Sequence, residues 1–462
     1  MVSSSKNSPF DAVVAALPGA ASYIVAYSGG VDSHVLLHML AHRRDTLRAP
    51  LLAVHVDHGI HAQSGEWREH CGRVCAELDV PLRTLNVDGV AAPGESPEAA
   101  ARHARYRALA EWLPEGAALL AAQHRDDQAE TLLLQLFRGA GPRGLSSMPA
   151  RASLGRGMLL RPFLDLARAD ILGYAQGHDL HWIEDPSNAD TRYDRNLLRQ
   201  SIMPQLRERW PGLSAVLARA AQHQSEQAEL AGMLGALDLE YCAQGDRLLL
   251  SALKTLQPSR QRNLLRHWIH RRGFALPSRV VLERICTEML CSRDDAQPLV
   301  RWGGAELRRF RGELYLMRRL PDHDVAQCLS WDLRGKLPLT SAGGVLSATP
   351  VNGAGLRLPG AHARVEVRFR RGGEFLRLPG ASHRQTLKNL LQQHGVPDWE
   401  RERLPLLYAG GTLAAVPGVA VCEGFQASPG QQGVALHWSR LSGEEPDLIE
   451  TGAGTTDRSA FP

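Results

Sequence analysis

At 462 residues the chain is too long for one ordinary core, so two to four domains are expected. Its composition, 44% hydrophobic and 22% charged, is that of a soluble globular protein. A formal charge of only +4 excludes strong nucleic-acid attraction by the whole molecule and leaves local patches to supply any.

Residues 1–21 carry one lysine and an apolar stretch interrupted by Asp11 and Pro18. That is too broken for a signal peptide and too short to span a bilayer, so no membrane association is expected, and a short helix is predicted over 10–17. An apolar run at 23–27 predicts the first strand, followed by Ser28-Gly29-Gly30-Val31-Asp32-Ser33 and a helix over 35–43. Strands at 51–56, 82–87 and 117–122 alternate with helices at 65–78 and 97–112, and a further helix ends at Phe137. Repeated strand–helix order predicts an α/β fold with a doubly wound parallel sheet and ligands at the carboxyl ends of its strands. The helix over 65–78 holds Cys71 and Cys75 on one face. With no C-x-x-C pair and no zinc spacing, the seven cysteines suggest reduced thiols in a cytoplasmic protein.

Arg209-Trp210-Pro211-Gly212 breaks the pattern. Residues 214–292 are predicted mainly helical, over 222–239, 259–272 and 279–290, with a strand pair at 306–311 and 313–317. Beyond Pro321, Gly/Pro-punctuated short strands surround one helix near 386–394, which makes a small α+β part. The expected division is a catalytic domain over 1–210, a mainly helical domain over 211–320, a small mixed domain over 321–442 and a disordered tail over 443–462.

The residues at 28–33 carry the first chemistry. Adjacent glycines let backbone N–H groups approach an anion, and the helix behind them offers orphan donors and a positive dipole end. No G-x-x-x-x-G-K-[ST] occurs, so this polyphosphate cradle is not a Walker loop. A plain Gly-Gly turn capped by Ser33 is the competing view. The second strand ends in His55-Val56-Asp57-His58-Gly59, where main-chain groups suit the edge of a nucleotide base; no further His or Cys cluster completes a metal site there. The fourth strand runs into His124-Arg125-Asp126-Asp127-Gln128-Ala129-Glu130. Asp127 and Glu130 share a helix face. They read either as a D-x-x-E cap or as a receptor for an ammonium, with His124 facing a phosphate.

These segments resemble the bacterial tRNA(Ile)-lysidine synthetase family of N-type (PP-loop) ATP pyrophosphatases. The similarity rests on Ser28–Ser33, His55–Gly59, the run at 122–131, Arg138-Gly139-Ala140-Gly141-Pro142, Trp182-Ile183-Glu184-Asp185-Pro186-Ser187-Asn188 and Tyr193-Asp194-Arg195-Asn196 with Leu198-Arg199. Residues 368–413 resemble the end domain of the longer members. The resemblance implies that ATP adenylates the carbon-2 oxygen of the wobble cytidine in the isoleucine tRNA with a CAU anticodon. Free L-lysine then displaces AMP to give lysidine. It also implies ATP contacts from Ser28, Gly29, Gly30, Val31, Asp32, Ser33, His55 and Asp57, Mg²⁺ at Asp32, and catalytic roles for Asp32, His124 and Asp127. Arg102 would take the lysine carboxylate bidentately, with Asp127 and Glu130 on its amino groups. By the same analogy Arg195 and Arg199 would contact tRNA.

Two basic surfaces are less specific. Lys254 to Leu282 holds seven Lys/Arg residues and no acid, with Arg262, Arg266 and His270 on one helix face, which favours phosphate contact over a merely solvated stripe. Arg371 lies among arginines interspersed with acids. The rivals are a tRNA thiolase, a small-molecule amidating ligase and a non-catalytic tRNA-binding relative. A homodimer is left open.

Overall fold

The computed structural model describes residues 9–57, 64–87, 97–293, 296–357 and 364–440. His58, Gly59 and the tail expected from residue 443 lie outside the described residues. The chain divides into two compact units, Met1–Met233 and Leu234–Pro462.

The first unit is built on a six-stranded sheet in the order β3-β2-β1-β4-β6-β5. Its strands are β1 (Tyr23–Ala26), β2 (Leu51–Asp57), β3 (Leu82–Asn86), β4 (Ala118–Leu120), β5 (Arg151–Leu154) and β6 (Gly157–Leu160). All pairings are parallel except β5 with β6. Period-2 alternation along β1 explains the two layers. Tyr23, Val25 and Tyr27 enter one core with Leu36, Leu37 and Leu40, whereas Ile24 enters another with Leu109 and Leu113. Helices α1 (Pro9–Ala15), α2 (Val31–Ala41) and α3 (Ser64–Glu77) therefore cover one face, and α4 (Pro97–Trp112) covers the opposite one. Helix α5 (Arg125–Phe137) leaves β4, a turn of helix α6 (Pro142–Leu145) follows, and α7 (Arg168–Gly177) and α8 (Asp194–Leu197) complete the set used below.

Two departures from expectation matter. Helix α2 begins at Val31 rather than residue 35, because Asp32 and Ser33 occupy its first turn although neither extends the apolar pattern. The β5–β6 hairpin was not foreseen: its strands are four residues each, and its turn depends on tertiary contact. At that turn Gly155 has φ +53° and a Cβ would stand 2.0 Å from the Ala110 carbonyl oxygen, so only glycine closes it.

Within the first unit, His38 on α2 has its Nδ1 3.1 Å from the Tyr174 hydroxyl. It stacks on His42 at 4.0 Å, with His178 at 5.1 Å. Burial, then repulsion from His42 and His178, lowers its pKa to about 4. Unfolded, the ring protonates near pH ~6.5. The stability contributed by its neutral form is therefore complete above about pH 6.5 and is lost as pH falls toward 4. Melting temperatures at pH 7 and pH 5 should consequently differ less for His38→Gln than for the parent; equal differences would remove His38 from the acid response.

In the second unit, helices Leu250–Thr255 and Pro258–Arg271 pack on a five-stranded antiparallel sheet. The expected strand pair, Ala305–Phe310 with Glu313–Arg318, lies within it. The remainder holds a five-stranded sheet, a three-stranded sheet and helix Leu387–Gln393. Trp399 meets Phe310 and Tyr315 edge-on at 5.9 and 5.4 Å and so ties these parts together.

Candidate active site

Order reverses between β1 and β4: the chain builds β2 and β3 to one side of β1, then crosses to the other. Such a switch point opens a crevice at the carboxyl ends of the strands. The loop from Tyr27 to Gly30 fills its floor. Gly29 has φ +85°, and a Cβ there would lie 2.9 Å from Ile183 Cδ1 and 3.3 Å from Cys71 Sγ. Its carbonyl accepts the Ile183 N–H at 2.9 Å, which fastens the segment around Trp182–Asp185 to the loop. Ser33 donates its hydroxyl to the Gly30 carbonyl at 3.0 Å, and the Ser28 N–H donates to Ser33 Oγ at 3.2 Å. The serines thus brace the loop, and Ser33 is not the helix cap. Gly30 is the N-cap and offers no side-chain acceptor, so the first-turn amides of α2 remain for an anion.

Beside this cradle, the first turn of α5 presents its acids. The cap forms between His124 and Asp127 rather than as D-x-x-E: the His124 N–H donates to Asp127 Oδ2 at 3.0 Å, and the Asp127 N–H donates to His124 Nδ1 at 3.4 Å. Glu130 takes no part in it. Instead two guanidinium groups bridge the pair. Arg195 donates to Glu130 Oε2 at 3.1 Å and Asp127 Oδ1 at 3.0 Å, and Arg199 reaches Glu130 Oε1 at 2.8 Å and Asp127 Oδ1 at 2.7 Å. Burial would raise the Asp127 carboxyl, but His124, Arg195 and Arg199 hold it below the usual carboxylate range. Asp126 faces the other way and accepts from the Arg168 N–H at 2.9 Å and the Ser214 hydroxyl at 2.7 Å, with Arg207 alongside. Sequence reasoning missed this anchor because its partners are 42 and 88 residues away.

A cavity of about 570 Å³ joins these features. Ser28, Gly30, Asp32, Ser33, Arg102, Asp127, Arg195 and Arg199 all line it. Arg105, Tyr106, Gln123, Tyr193 and Asn196 line it too and were not singled out for this role; Arg105 and Tyr106 follow Arg102 at helical spacing, which is the only local signal. Arg102 lies 4.9 Å from the Tyr106 ring centroid. His124 (1% exposed) and Glu130 (2%) stand behind the wall. His55 is pinned through Nδ1 to the Tyr27 carbonyl at 3.0 Å, and Asp57 faces Arg68 at 3.9 Å; neither lines the cavity. Val31 opens α2 and is buried.

Asp32 is the exception to the paired acids. Its Oδ1 is shut from solvent without a hydrogen-bond partner, and His124 Nε2 stands 3.8 Å from it. Burial raises the carboxyl above its ordinary range, against the pull of His124. No cluster of three metal-ligating side chains occurs among the described residues. A single orphaned carboxylate beside a phosphate cradle nevertheless fits Mg²⁺, which is commonly held by one or two carboxylates with phosphates and water supplying the rest.

The other basic residues belong to the second unit. Of the seven basic residues between Lys254 and Leu282, Arg260, Arg272 and Arg279 are paired with Asp238, Asp246 and Glu283, acids that lie outside that window. Arg262 and Arg266 have no carboxylate partner among the described residues, and their helix buries Leu264, Leu265 and Trp268 on the opposite side. Arg371 is exposed and donates to the Ala326 carbonyl at 3.1 Å.

Family models match three stretches: a PP-loop domain at residues 4–206, a TilS substrate binding domain at 248–315 and a TilS substrate C-terminal domain at 365–438. Three relatives named tRNA(Ile)-lysidine synthase are similar along most of the chain. The Coxiella burnetii protein is 41% identical, covering 90% of this chain and 92% of its own. The Methylococcus capsulatus protein is 42% identical, covering 93% and 99%. The Serratia proteamaculans protein is 43% identical, covering 90% and 95%. With the pyrophosphatase loop, the switch-point cavity and both downstream modules in one chain, the protein belongs to the tRNA(Ile)-lysidine synthase family.

Proposed function

We propose that the chain joins free L-lysine to carbon-2 of the wobble cytidine in the isoleucine tRNA with a CAU anticodon, working in the cytoplasm and consuming ATP. The observation that carries this reading is one cavity lined by the phosphate loop, Asp127 and Arg102 together. In the first step the cytosine oxygen attacks the α-phosphorus and pyrophosphate leaves; the α2 amides and the braced Ser28–Ser33 loop hold the departing phosphates. Mg²⁺ at Asp32 would supply charge neutralisation there. In the second, the lysine ε-amine attacks carbon-2, AMP departs and the amine loses a proton. Arg102 positions the substrate carboxylate, while Asp127 and Glu130 exchange their bonds to Arg195 and Arg199 for bonds to amino groups. All seven cysteines are free and buried or scattered, which does not favour a sulfur-transfer rival. No described helix is long and apolar enough to cross a membrane. Incubation with ATP, radiolabelled lysine and this tRNA should place label in the RNA and release AMP and pyrophosphate in equal amounts; ATP consumption without label in the RNA would overturn the assignment.

The second unit is proposed to hold the tRNA by its backbone, through a helical part ending near residue 320 and a mixed part beyond it, with Arg371 among the contacts. With three of the seven basic residues already neutralised, Arg262 and Arg266 are the pair to test. Replacing both by Ala should flatten the log–log salt dependence of tRNA affinity by roughly one unit per lost phosphate contact, leaving the KM for lysine unchanged. Coincident slopes for parent and variant would make this helix face a solvated surface.

A further inference from the structure

Helix α5 carries the acids of the site at its beginning, and what it carries at its end has no role so far. Burial declines steadily along it. Asp126 through Glu130 are all buried, the next turn is partly covered, and Leu136 and Phe137 are 54% and 68% exposed. The Phe137 value is as high as that of any large apolar side chain described. The helix therefore ends at the surface of the domain. The chain turns at Gly139 and comes back through α6, and Gln128 fastens the return by accepting the Met148 N–H and donating to the Met148 carbonyl, both at 3.0 Å. The tip is held from below at the level of the site.

The sequence around the tip is basic. From Thr131 to Leu164 there is no acidic residue, but there are five arginines. Arg138 adjoins Phe137 at the tip, and Arg143 lies on the returning turn; both are exposed. Arg151 is also exposed and pairs with Leu160, which puts it at the carboxyl edge of the sheet, where the cavity opens. An exposed aromatic ring flanked by arginines matches single-stranded RNA, whose unstacked bases lie on aromatic faces while cations track the phosphates. Phe137 lies thirteen residues beyond His124 along the helix, about 20 Å at ~1.5 Å per residue, or on the order of six stacked nucleotides.

We infer that Phe137 is a stacking platform for an unpaired nucleotide of the same RNA loop whose cytidine enters the cavity, with Arg138 and Arg143 on the adjoining phosphates. This rests on the tRNA reading above and adds a specificity element to it: the distance from tip to site sets which nucleotide of the loop reaches the cavity.

The test measures binding of the full chain to the isoleucine tRNA and to its isolated anticodon stem–loop, together with KM for ATP and lysine. Phe137→Ala should weaken both RNAs about tenfold or more, with the melting temperature and the other two KM values unchanged because the ring is exposed. Phe137→Trp should stay within a few-fold of the parent, and Phe137→Leu should behave like Phe137→Ala. Arg138→Ala should lower the salt slope by about one unit. If the parent labels tRNA with lysine yet Phe137→Ala binds RNA as the parent does, or Leu serves as well as Trp, the stacking role is overturned. A change of sedimentation with Phe137→Ala would instead mark the tip as a contact between copies and overturn it too. A parent that transfers no lysine overturns the tRNA reading, and the tip then stands or falls on stem–loop binding alone.

Discussion

Asp32→Asn should lower tRNA adenylation by on the order of a hundredfold or more while leaving tRNA affinity within a few-fold. The reasoning is geometric. The acids at the start of α5 are already engaged: Asp126 by Ser214 and Arg168, Asp127 and Glu130 by two guanidinium groups. Unlike them, Asp32 keeps an oxygen without a partner, in the first turn of the helix that would hold the phosphates. Asparagine preserves shape and removes charge, so a loss reports electrostatics rather than collapse. Pyrophosphate release in a single turnover is the measurement, with filter binding of tRNA as the control. Turnover within a few-fold of the parent would mean that neither metal nor phosphate meets this side chain.

Arg199→Ala is expected to cost about 2–4 kcal/mol of folding stability. Removing one partner of a buried pair typically costs ~3–5 kcal/mol, and Arg195 remains to offset part of it. The effect should depend on pH. The Asp127 carboxyl is held below its usual range in the folded chain, so the stability of its ionised form is complete above about pH 4 and is lost as pH falls through the folded value. Without Arg199 that value rises. Urea unfolding should therefore show the largest gap between parent and variant at pH 7 and a smaller one at pH 3.5. A gap that does not change with pH would assign the loss to packing of the arginine stem.

The parallel sheet was legible because its strands are short apolar runs between amphipathic helices, and four of the six fell where those runs lie. The phosphate loop was legible for a local reason as well, since glycines and serines at that spacing have few other uses. What escaped was everything fixed at long range. Arg195 and Arg199 were expected only as tRNA contacts, and their bonds to Asp127 and Glu130 were missed because a sequence does not show that a helix starting at Asp194 packs on one starting at Arg125. Likewise the acid-free stretch around Arg262 looked uniformly basic because Asp238 and Asp246, which neutralise Arg260 and Arg272, precede it. His55 illustrates a subtler gap: its strand position was readable, but its ring's bond to the Tyr27 carbonyl was not.

The bond from the Ile183 amide to the Gly29 carbonyl has a consequence for how the family can drift. Gly29 is constrained twice, by a left-handed φ and by the Ile183 side chain filling the space a Cβ would need. Those constraints are not exchangeable: shortening Ile183 would clear the space but leave the dihedral forbidden to other residues. Residue 183, by contrast, is tied through its main chain and needs only to fit over glycine. Glycine at the loop should thus outlast its neighbour across lineages, with position 183 varying among side chains of similar reach, and the segment after Trp182 inheriting its location from a loop more than 150 residues earlier.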